Sequence, residues 1–279
     1  MLFDQRTIFS DNGVLSDISV SLNDYKASSS TLPWVAAEDA LYIGSLFPWN
    51  NKWVEVSTVN SLASVASVSV WDGLAWQATY DVLDMTSSSG KSLAQSGFIR
   101  FTPSRDRAWV RAYESDLVTG LSGTVIYDMY WLKITMSADL TPATALKFIG
   151  NKFSQDADLF SYYPDLNNTT LMAKFKVGQA DWKDQSFIAA EMVIRDLKSR
   201  NIILSREQVL TPELFMEAAV HKTAEIIYAA FGSAFKDDKD NARKRYDEAM
   251  KLSTYNIDVT RDGRLDVGET LVKTGVLHR

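Results

Sequence analysis

The chain has 279 residues, with 29 Lys and Arg against 35 Asp and Glu, a formal net charge of −6 that argues against general coating of nucleic acid. It contains no cysteine, which removes disulfides, thiol nucleophiles and zinc–thiolate sites together. The length allows one large domain or two ordinary ones, and the composition supplies enough apolar residues for a real core.

In chain order, the first residues, MLFDQRTIFSDNG, lack both the basic start and the long apolar segment of a signal peptide. No stretch approaches ~20 uninterrupted apolar residues, so no membrane span is expected and the protein is expected to stay in a cytosol-like compartment. Residues 1–150 hold seven of the eight tryptophans: Trp34, Trp49, Trp53, Trp71, Trp76, Trp109 and Trp131. Short alternating runs recur at 40–44, 53–56, 67–71, 76–80, 98–101, 108–111 and 129–134. Turn signals separate them, among them Asp11-Asn12-Gly13, Pro48-Trp49-Asn50-Asn51, Trp71-Asp72-Gly73 and Ser87-Ser88-Ser89-Gly90. Many short strands with regular turns and no parallel βαβ pattern predict an antiparallel β-sandwich over 1–150.

Residues 151–180 change texture. The segment 154–166 has no strand alternation and predicts a short helical turn that docks Leu159, Phe160, Tyr163 and Leu166. A further short helix fits 171–177. From 181 to about 255 the chain reads as three helices. Asp181 is the expected cap of the first, with Asp184 three residues on. Thr211-Pro212-Glu213 opens the second, which carries Phe215, Ala219, Thr223, Ile226, Ile227 and Ala230 on one face and ends at Gly232. The third sets Ala242, Tyr246, Ala249, Met250 and Ser253 on one face, with Arg243, Lys244, Arg245, Asp247 and Glu248 around the rest. The cluster Asp237-Asp238-Lys239-Asp240 reads as the charged start of that helix. The fold class expected is therefore α+β, an N-terminal β-sandwich (1–150) followed by a small C-terminal helical bundle (151–279). So small a bundle buries little surface alone, which leaves apolar surface for another domain or another copy.

Candidate chemistry is sparse. The only histidines are His221 and His278. His221 has Glu217 and Glu225 at helical spacing, the pattern of a solvated helix face. No Gly-x-Ser-x-Gly, P-loop, dinucleotide glycine run or His-Glu-x-x-His occurs. No catalytic, cofactor-binding or metal residue is singled out, and a non-enzymatic protein is expected. The sharpest local pattern is 258–269. Counted from Asp258, an EF-hand loop would take Asp258, Thr260, Asp262 and Asp266 as oxygen donors, Gly263 at the sharp turn, Leu265 as the apolar residue and Glu269 as the closing acid. Thr260 replaces the usual carboxylate or amide, and residues 270–279 are too short for a strong exit helix. The plainer reading is a β-turn at Arg261-Asp262-Gly263-Arg264 leading into a short strand, with no more than weak calcium binding.

The tryptophans have two readings as well. Alternation with aliphatic residues at strand period is a core pattern, whereas exposed aromatics on a β-domain are sugar-stacking platforms. Trp49, in its Pro-Trp-Asn-Asn turn, is the one expected to be exposed. The C-terminal residues 270–279 carry Leu271, Val272, Val276 and Leu277 with basic groups behind them. They suit either docking on a partner or folding back on the chain's own helices.

The order of the helical half is not generic. Ser154-Gln155-Asp156-Ala157-Asp158-Leu159-Phe160, Tyr163-Pro164-Asp165-Leu166, Ala189-Ala190-Glu191 and Arg195-Asp196-Leu197 come in succession. Leu210-Thr211-Pro212-Glu213-Leu214-Phe215, Ala218-Ala219-Val220-His221-Lys222 and Ala224-Glu225-Ile226-Ile227-Tyr228 follow, with Tyr246 and a closing Asp-Gly turn. Over about 154–279, by order and spacing, this resembles the head-to-tail adaptor (connector, or head-completion) proteins of tailed bacteriophages. The resemblance implies a structural virion protein, made in the host cytoplasm, that assembles as a ring, typically dodecameric, beneath the portal. Its partners would be the portal ring, neighbouring adaptor copies and tail or neck proteins, with genomic DNA passing through the channel without sequence-specific binding. That family is often small and almost wholly helical, so the preceding β-half is a departure. Leu41-Tyr42-Ile43-Gly44-Ser45, Val70-Trp71-Asp72-Gly73-Leu74-Ala75-Trp76 and Ser96-Gly97-Phe98-Ile99-Arg100-Phe101 are similar to β-domains that decorate phage neck and tail proteins. The alternative expectation is a carbohydrate-binding β-module with a helical oligomerisation domain.

Overall fold

The computed structural model describes residues 5–103, 108–252, 256–264 and 269. One compact unit gathers the described residues of Met1–Gly150 with Thr260–Arg264, and the other those of Asn151–Val259 with the described part of Leu265–Arg279. The fold is α+β, with the strands of two antiparallel sheets in the N-terminal half and the longer helices in the C-terminal half.

The first unit opens with a hairpin of β1 (Gln5–Asp11) and β2 (Val14–Asp17). Its turn places Asn12 and Gly13 at φ of 46° and 81°, the left-handed pair that matches the twist of paired strands. A short helix α1 (Ser19–Asn23) and β3 (Ser30–Thr31) follow. Then come β4 (Ala40–Ser45), β5 (Asn51–Thr58), β6 (Ala66–Trp71), β7 (Trp76–Ala78), β8 (Tyr80–Asp84) and β9 (Gly97–Thr102). The unit closes with β10 (Arg111–Ala112), β11 (Met129–Met136) and β12 (Ala145–Gly150).

One sheet runs β2-β1-β4-β11-β6-β7, with β10 also on β11; the other runs β3-β12-β5-β9-β8. Period-two alternation sorts their side chains. Phe9, Leu41, Ile43, Val68, Val70, Leu132 and Ile134 of the first sheet meet Val54, Ile99, Phe101, Leu146 and Ile149 of the second in one core. Each such side chain contributes about 1.5–3 kcal/mol on full burial. The first sheet is also covered on its outer face. Ile8, Ala40, Tyr42, Trp71 and Trp131 pack there against Ala112 of β10 and Val118, Leu121 and Ile126 from the long connection between β10 and β11. Trp76 ties that connection down by donating from Nε1 to the Thr119 carbonyl at 2.8 Å. Arg6 anchors its far end through the Val125 carbonyl, with its guanidinium 4.7 Å from the centre of the Tyr127 ring.

The run 76–80 is two strands rather than one: β7 pairs with β6 and β8 with β9, so the chain changes sheets at Thr79 and closes that side of the sandwich. Of the run 108–111 only Arg111 falls in a strand, the two-residue β10 that it forms with Ala112.

The second unit begins with α2 (Asp156–Tyr162), a 3-10 turn (Pro164–Leu166) and α3 (Thr169–Phe175). Leu159 and Leu166 are fully buried, and Phe160 and Tyr163 partly so. The first long helix, α4 (Lys183–Ser199), starts one residue later than the cap expected at Asp181. Trp182 holds the cap position, and Asp181 accepts from the Lys183 amide at 3.3 Å. Thr211 and Pro212 open a 3-10 turn (Pro212–Phe215) that runs into α5 (Met216–Ala230). The Thr211 hydroxyl accepts from Asn256 at 3.3 Å and makes no cap bond. Gly232 sits at φ +68°, and α6 (Lys236–Leu252) follows.

Helix α5 organises this unit because it is buried on two faces. Phe215, Ala218 and Ala219 pack with Ala190, Val193, Ile194 and Leu197 of α4 and with Tyr246 and Met250 of α6. Val220, Ala224, Ile227 and Tyr228 pack with Leu159, Leu166, Met172 and Trp182. Alanines at 218, 219 and 224 let the neighbouring elements approach closely. The single apolar face expected from 215–230 is therefore corrected: Ala230 is exposed, and the second buried face runs through Val220 and Ala224.

Candidate functional site

The most concentrated polar chemistry in the described residues surrounds His221, on α5. The expectation of a solvated histidine is overturned, because its ring is 2 % exposed. The Tyr163 hydroxyl lies 2.9 Å from Nδ1, and Tyr162 and Tyr163 meet the imidazole edge-on with centroids 5.5 and 5.8 Å away. On the other side, Nε2 is 3.6 Å from the Glu217 carboxylate. Burial pushes the imidazole below its ordinary range; Glu217 opposes the shift, Arg245 adds to it and Glu248 opposes it. A neutral His221 accepts from the Tyr163 hydroxyl at Nδ1 and keeps its proton on Nε2, facing Glu217.

Two further tyrosines extend the polar layer. Tyr228 donates to Asp165 at 2.7 Å, and burial together with that carboxylate pushes its phenol far above the ordinary range. Tyr246 donates to Asp196 and is pushed up in the same way. Lys222 stands 4.0 Å from the centre of the Tyr246 ring and pairs with Glu225 at 2.7 Å. The three tyrosine bonds join the turn after α2 with α4, α5 and α6, and each is made by a tyrosine that also packs in the core. From the sequence, Tyr163 is expected only as a docking residue, with no partner named. Nothing in linear spacing links positions 163 and 221.

At 258–269 the structure favours a turn. Arg261 and Gly263 have φ of 62° and 77°, and Asp262 accepts from the Arg264 amide at 2.8 Å. Asp258 is fully buried; its amide donates to the Gln208 carbonyl at 3.1 Å, and its own carbonyl accepts from the Gln208 side chain at 2.8 Å. Asp258 belongs to the helical unit, whereas Thr260 and Asp262 belong to the β-unit. Asp266 lies outside the described residues. Among those described, no three His, Cys, Asp or Glu side chains are gathered as a metal set.

The tryptophans are core residues. Trp34, Trp49, Trp53, Trp71, Trp109 and Trp131 are all buried, and Trp76 is partly exposed. Trp49, expected at the surface, is 2 % exposed and packs edge-on against Phe101 and Trp109 at 5.2 and 5.8 Å. The Pro-Trp-Asn-Asn turn thus drives its indole inward, into the core shared by the two sheets. The tryptophans therefore supply core packing, and the exposed rings among the described residues of the β-unit are those of Tyr80, Tyr113 and Tyr127.

On α6 the outward face is wholly polar. Asp240, Arg243, Lys244, Asp247, Glu248 and Lys251 line a shallow open depression. Acid and base alternate there at four-residue spacing, as in Asp240/Lys244, Arg243/Asp247, Lys244/Glu248 and Asp247/Lys251. The expected docking tail, residues 270–279, lies outside the described residues, as does Ser253. No described helix is long and apolar enough to cross a membrane.

Compared with known proteins, the chain matches no family model, no curated protein and no solved structure.

Proposed function

We propose that this chain is a non-enzymatic structural protein of a tailed-phage virion: a ring-forming head-to-tail adaptor that docks on the portal and continues the DNA channel toward the neck or tail. The observation that carries the reading is the construction of the helical unit. Four further helices, α2, α3, α4 and α6, accompany α5 in the unit, and Phe160, Leu171, Phe175, Phe231 and Phe235 stay only partly covered. Partly covered apolar side chains on a small unit suit a protein whose neighbours complete its packing. The succession of α2, a proline turn, α3, α4, a Thr-Pro-opened α5 and α6 is also the order on which the resemblance to the adaptor family rests.

In this reading the β-sandwich projects as a collar, or downward toward neck or tail proteins. The mixed charges of α6 and the net charge of −6 suit a wall past which genomic DNA slides better than a grip on its phosphates. The protein assembles in the host cytoplasm, works at the head–tail interface and has no part in a membrane. Mass photometry of the full chain, alone and with its portal at micromolar concentration, tests this. Ring-sized particles or portal-bound copies are expected; a strict monomer that leaves portal unchanged would remove the assignment.

A further inference from the structure

Three buried oxygens where α2 meets the start of α4 have no hydrogen-bond partner among the protein's own atoms: Ser154 Oγ, Asp156 Oδ1 and Ser186 Oγ. Ser154 is 3 % exposed and Ser186 1 %. A buried hydroxyl or carboxylate oxygen left bare costs free energy, so such groups are normally met by protein or by ordered water.

The chain geometry turns the three toward one place. The Lys152 ammonium lies 4.7 Å from the centre of the Phe187 ring, and Asp156 Oδ2 accepts from the Trp182 amide at 3.0 Å. Residues 152 to 156 therefore run past the first turn of α4, with Ser154 between the two contacts. Gln155 is extended, at φ −121° and ψ 170°, which directs the side chains of Ser154 and Asp156 to the same side. On α4 the Ser186 amide donates to the Trp182 carbonyl at 2.9 Å, which sets Ser186 one turn above Trp182. Helical side chains lean toward the N-terminus, so the Ser186 hydroxyl leans back over the turn whose amide Asp156 holds.

The electrostatics select a neutral occupant. Burial pushes the Asp156 carboxyl above its ordinary range; the Trp182 amide opposes the shift, Asp181 adds to it, and Lys152 and Lys183 oppose it. Two lysines thus already answer the two acids. Among the described residues no three His, Cys, Asp or Glu side chains gather as a metal set. The serines bond neither to each other nor to Asp156 Oδ1, so a bridge between them needs donors and acceptors of its own.

We propose that Ser154, Asp156 and Ser186 enclose one structural water, which accepts from the two serine hydroxyls and donates to Asp156 Oδ1. Three bonds are the usual complement of a buried water. With Oδ2 on the Trp182 amide and Oδ1 on the water, Asp156 pins the start of α2 to the start of α4. The same helix carries Tyr162, which meets the His221 ring edge-on. The site stands independently of the adaptor reading.

Urea unfolding of full-length Ser154→Ala, Ser186→Ala and the double variant tests it. Removing a hydroxyl that has no partner is neutral or stabilising, whereas removing one that bonds a held water is not. Each single change is expected to lower the folding equilibrium constant about two- to tenfold. The double change should cost less than the product of the two by at least about twofold, because side chains that do not touch act through one molecule. Single changes that are neutral or stabilising overturn the site, and so do costs that simply multiply. Melts in choline, sodium, potassium and calcium chloride at equal ionic strength are expected to coincide. A rise in Tm with one metal salt that disappears in Ser186→Ala would put a cation in the water's place and overturn the assignment.

Discussion

The Tyr163 hydroxyl and the His221 Nδ1 stand 2.9 Å apart, inside a cage whose charged members come from two helices. Glu217 shares α5 with the histidine, Arg245 and Glu248 face it from α6, and Tyr162 and Tyr163 close it from α2 and the turn that follows. Burial raises the Tyr163 phenol and the nearby Arg245 opposes that shift, so the phenol keeps its proton and shares it with the imidazole. A proton on Nδ1 would reverse that bond and set a cation near Arg245.

The consequence is a pH dependence with a defined sign. The folded-state pKa of His221 is depressed, so the unfolded chain binds more protons as pH falls. The stabilisation from the neutral imidazole is complete above its unfolded pKa of about 6.5 and is lost as pH falls through the folded value. Thermal melts from pH 7.5 down to 5 should show a declining Tm in the native chain and a shallower decline in His221→Gln. Equal slopes would remove His221 as the source.

Gly120 tests the cover over the outer face of the first sheet. It sits at φ +87°, and a methyl group there would lie 2.1 Å from the Tyr42 hydroxyl oxygen. Gly120→Ala should cost more than the roughly 1–3 kcal/mol of a strained left-handed residue, because Tyr42 is buried and has nowhere to move. Adding Tyr42→Phe should recover part of the overlap, with a coupling of about 0.5 kcal/mol or more in urea unfolding. Strict additivity would mean that the two residues do not meet.

Two alanines on α5 offer a contrast of position. Ala224 is fully buried against the α2 and α3 side, whereas Ala230 is exposed. Ala224→Leu should destabilise by about 1–3 kcal/mol through overpacking. Ala230→Leu should stay within about 0.5 kcal/mol of the native chain. Similar costs at both sites would contradict a central, doubly packed helix.

For the 258–269 segment the expected outcome of a calcium titration is no change. Asp258 is held by Gln208 through both its amide and its carbonyl, and Asp262 caps its own turn at the Arg264 amide. Neither arrangement needs an ion. Melts in chelator and in millimolar calcium should coincide; a calcium-dependent rise in Tm would show linkage to a bound ion.

Much of the architecture was legible because local rules and burial agreed. Strands β6, β9 and β11 alternate buried and more exposed positions, and the Asp-Asn-Gly and Trp-Asp-Gly turns sit where the chain reverses. Strand β1 was missed because Thr7, Ile8 and Phe9 are all buried, with Ile8 and Phe9 in cores on opposite faces, which erases alternation. Strand β12 was missed because its pairing with β5 shifts register around Leu146. His221 and Trp49 were misjudged for a common reason. Acidic neighbours at helical spacing and a polar turn describe the local chain, while burial came from α2 in one case and from Phe101 and Trp109 in the other. The resemblance on which the functional reading rests is likewise carried by order along the chain.

The most direct measurement is therefore negative-stain microscopy of the full-length protein mixed with its portal. The adaptor account predicts portal rings bearing an added, symmetric layer of this chain on their tail-proximal face, with extra density for the β-sandwich at its periphery or below. Portal rings indistinguishable from portal alone, beside a background of free monomers, would contradict it.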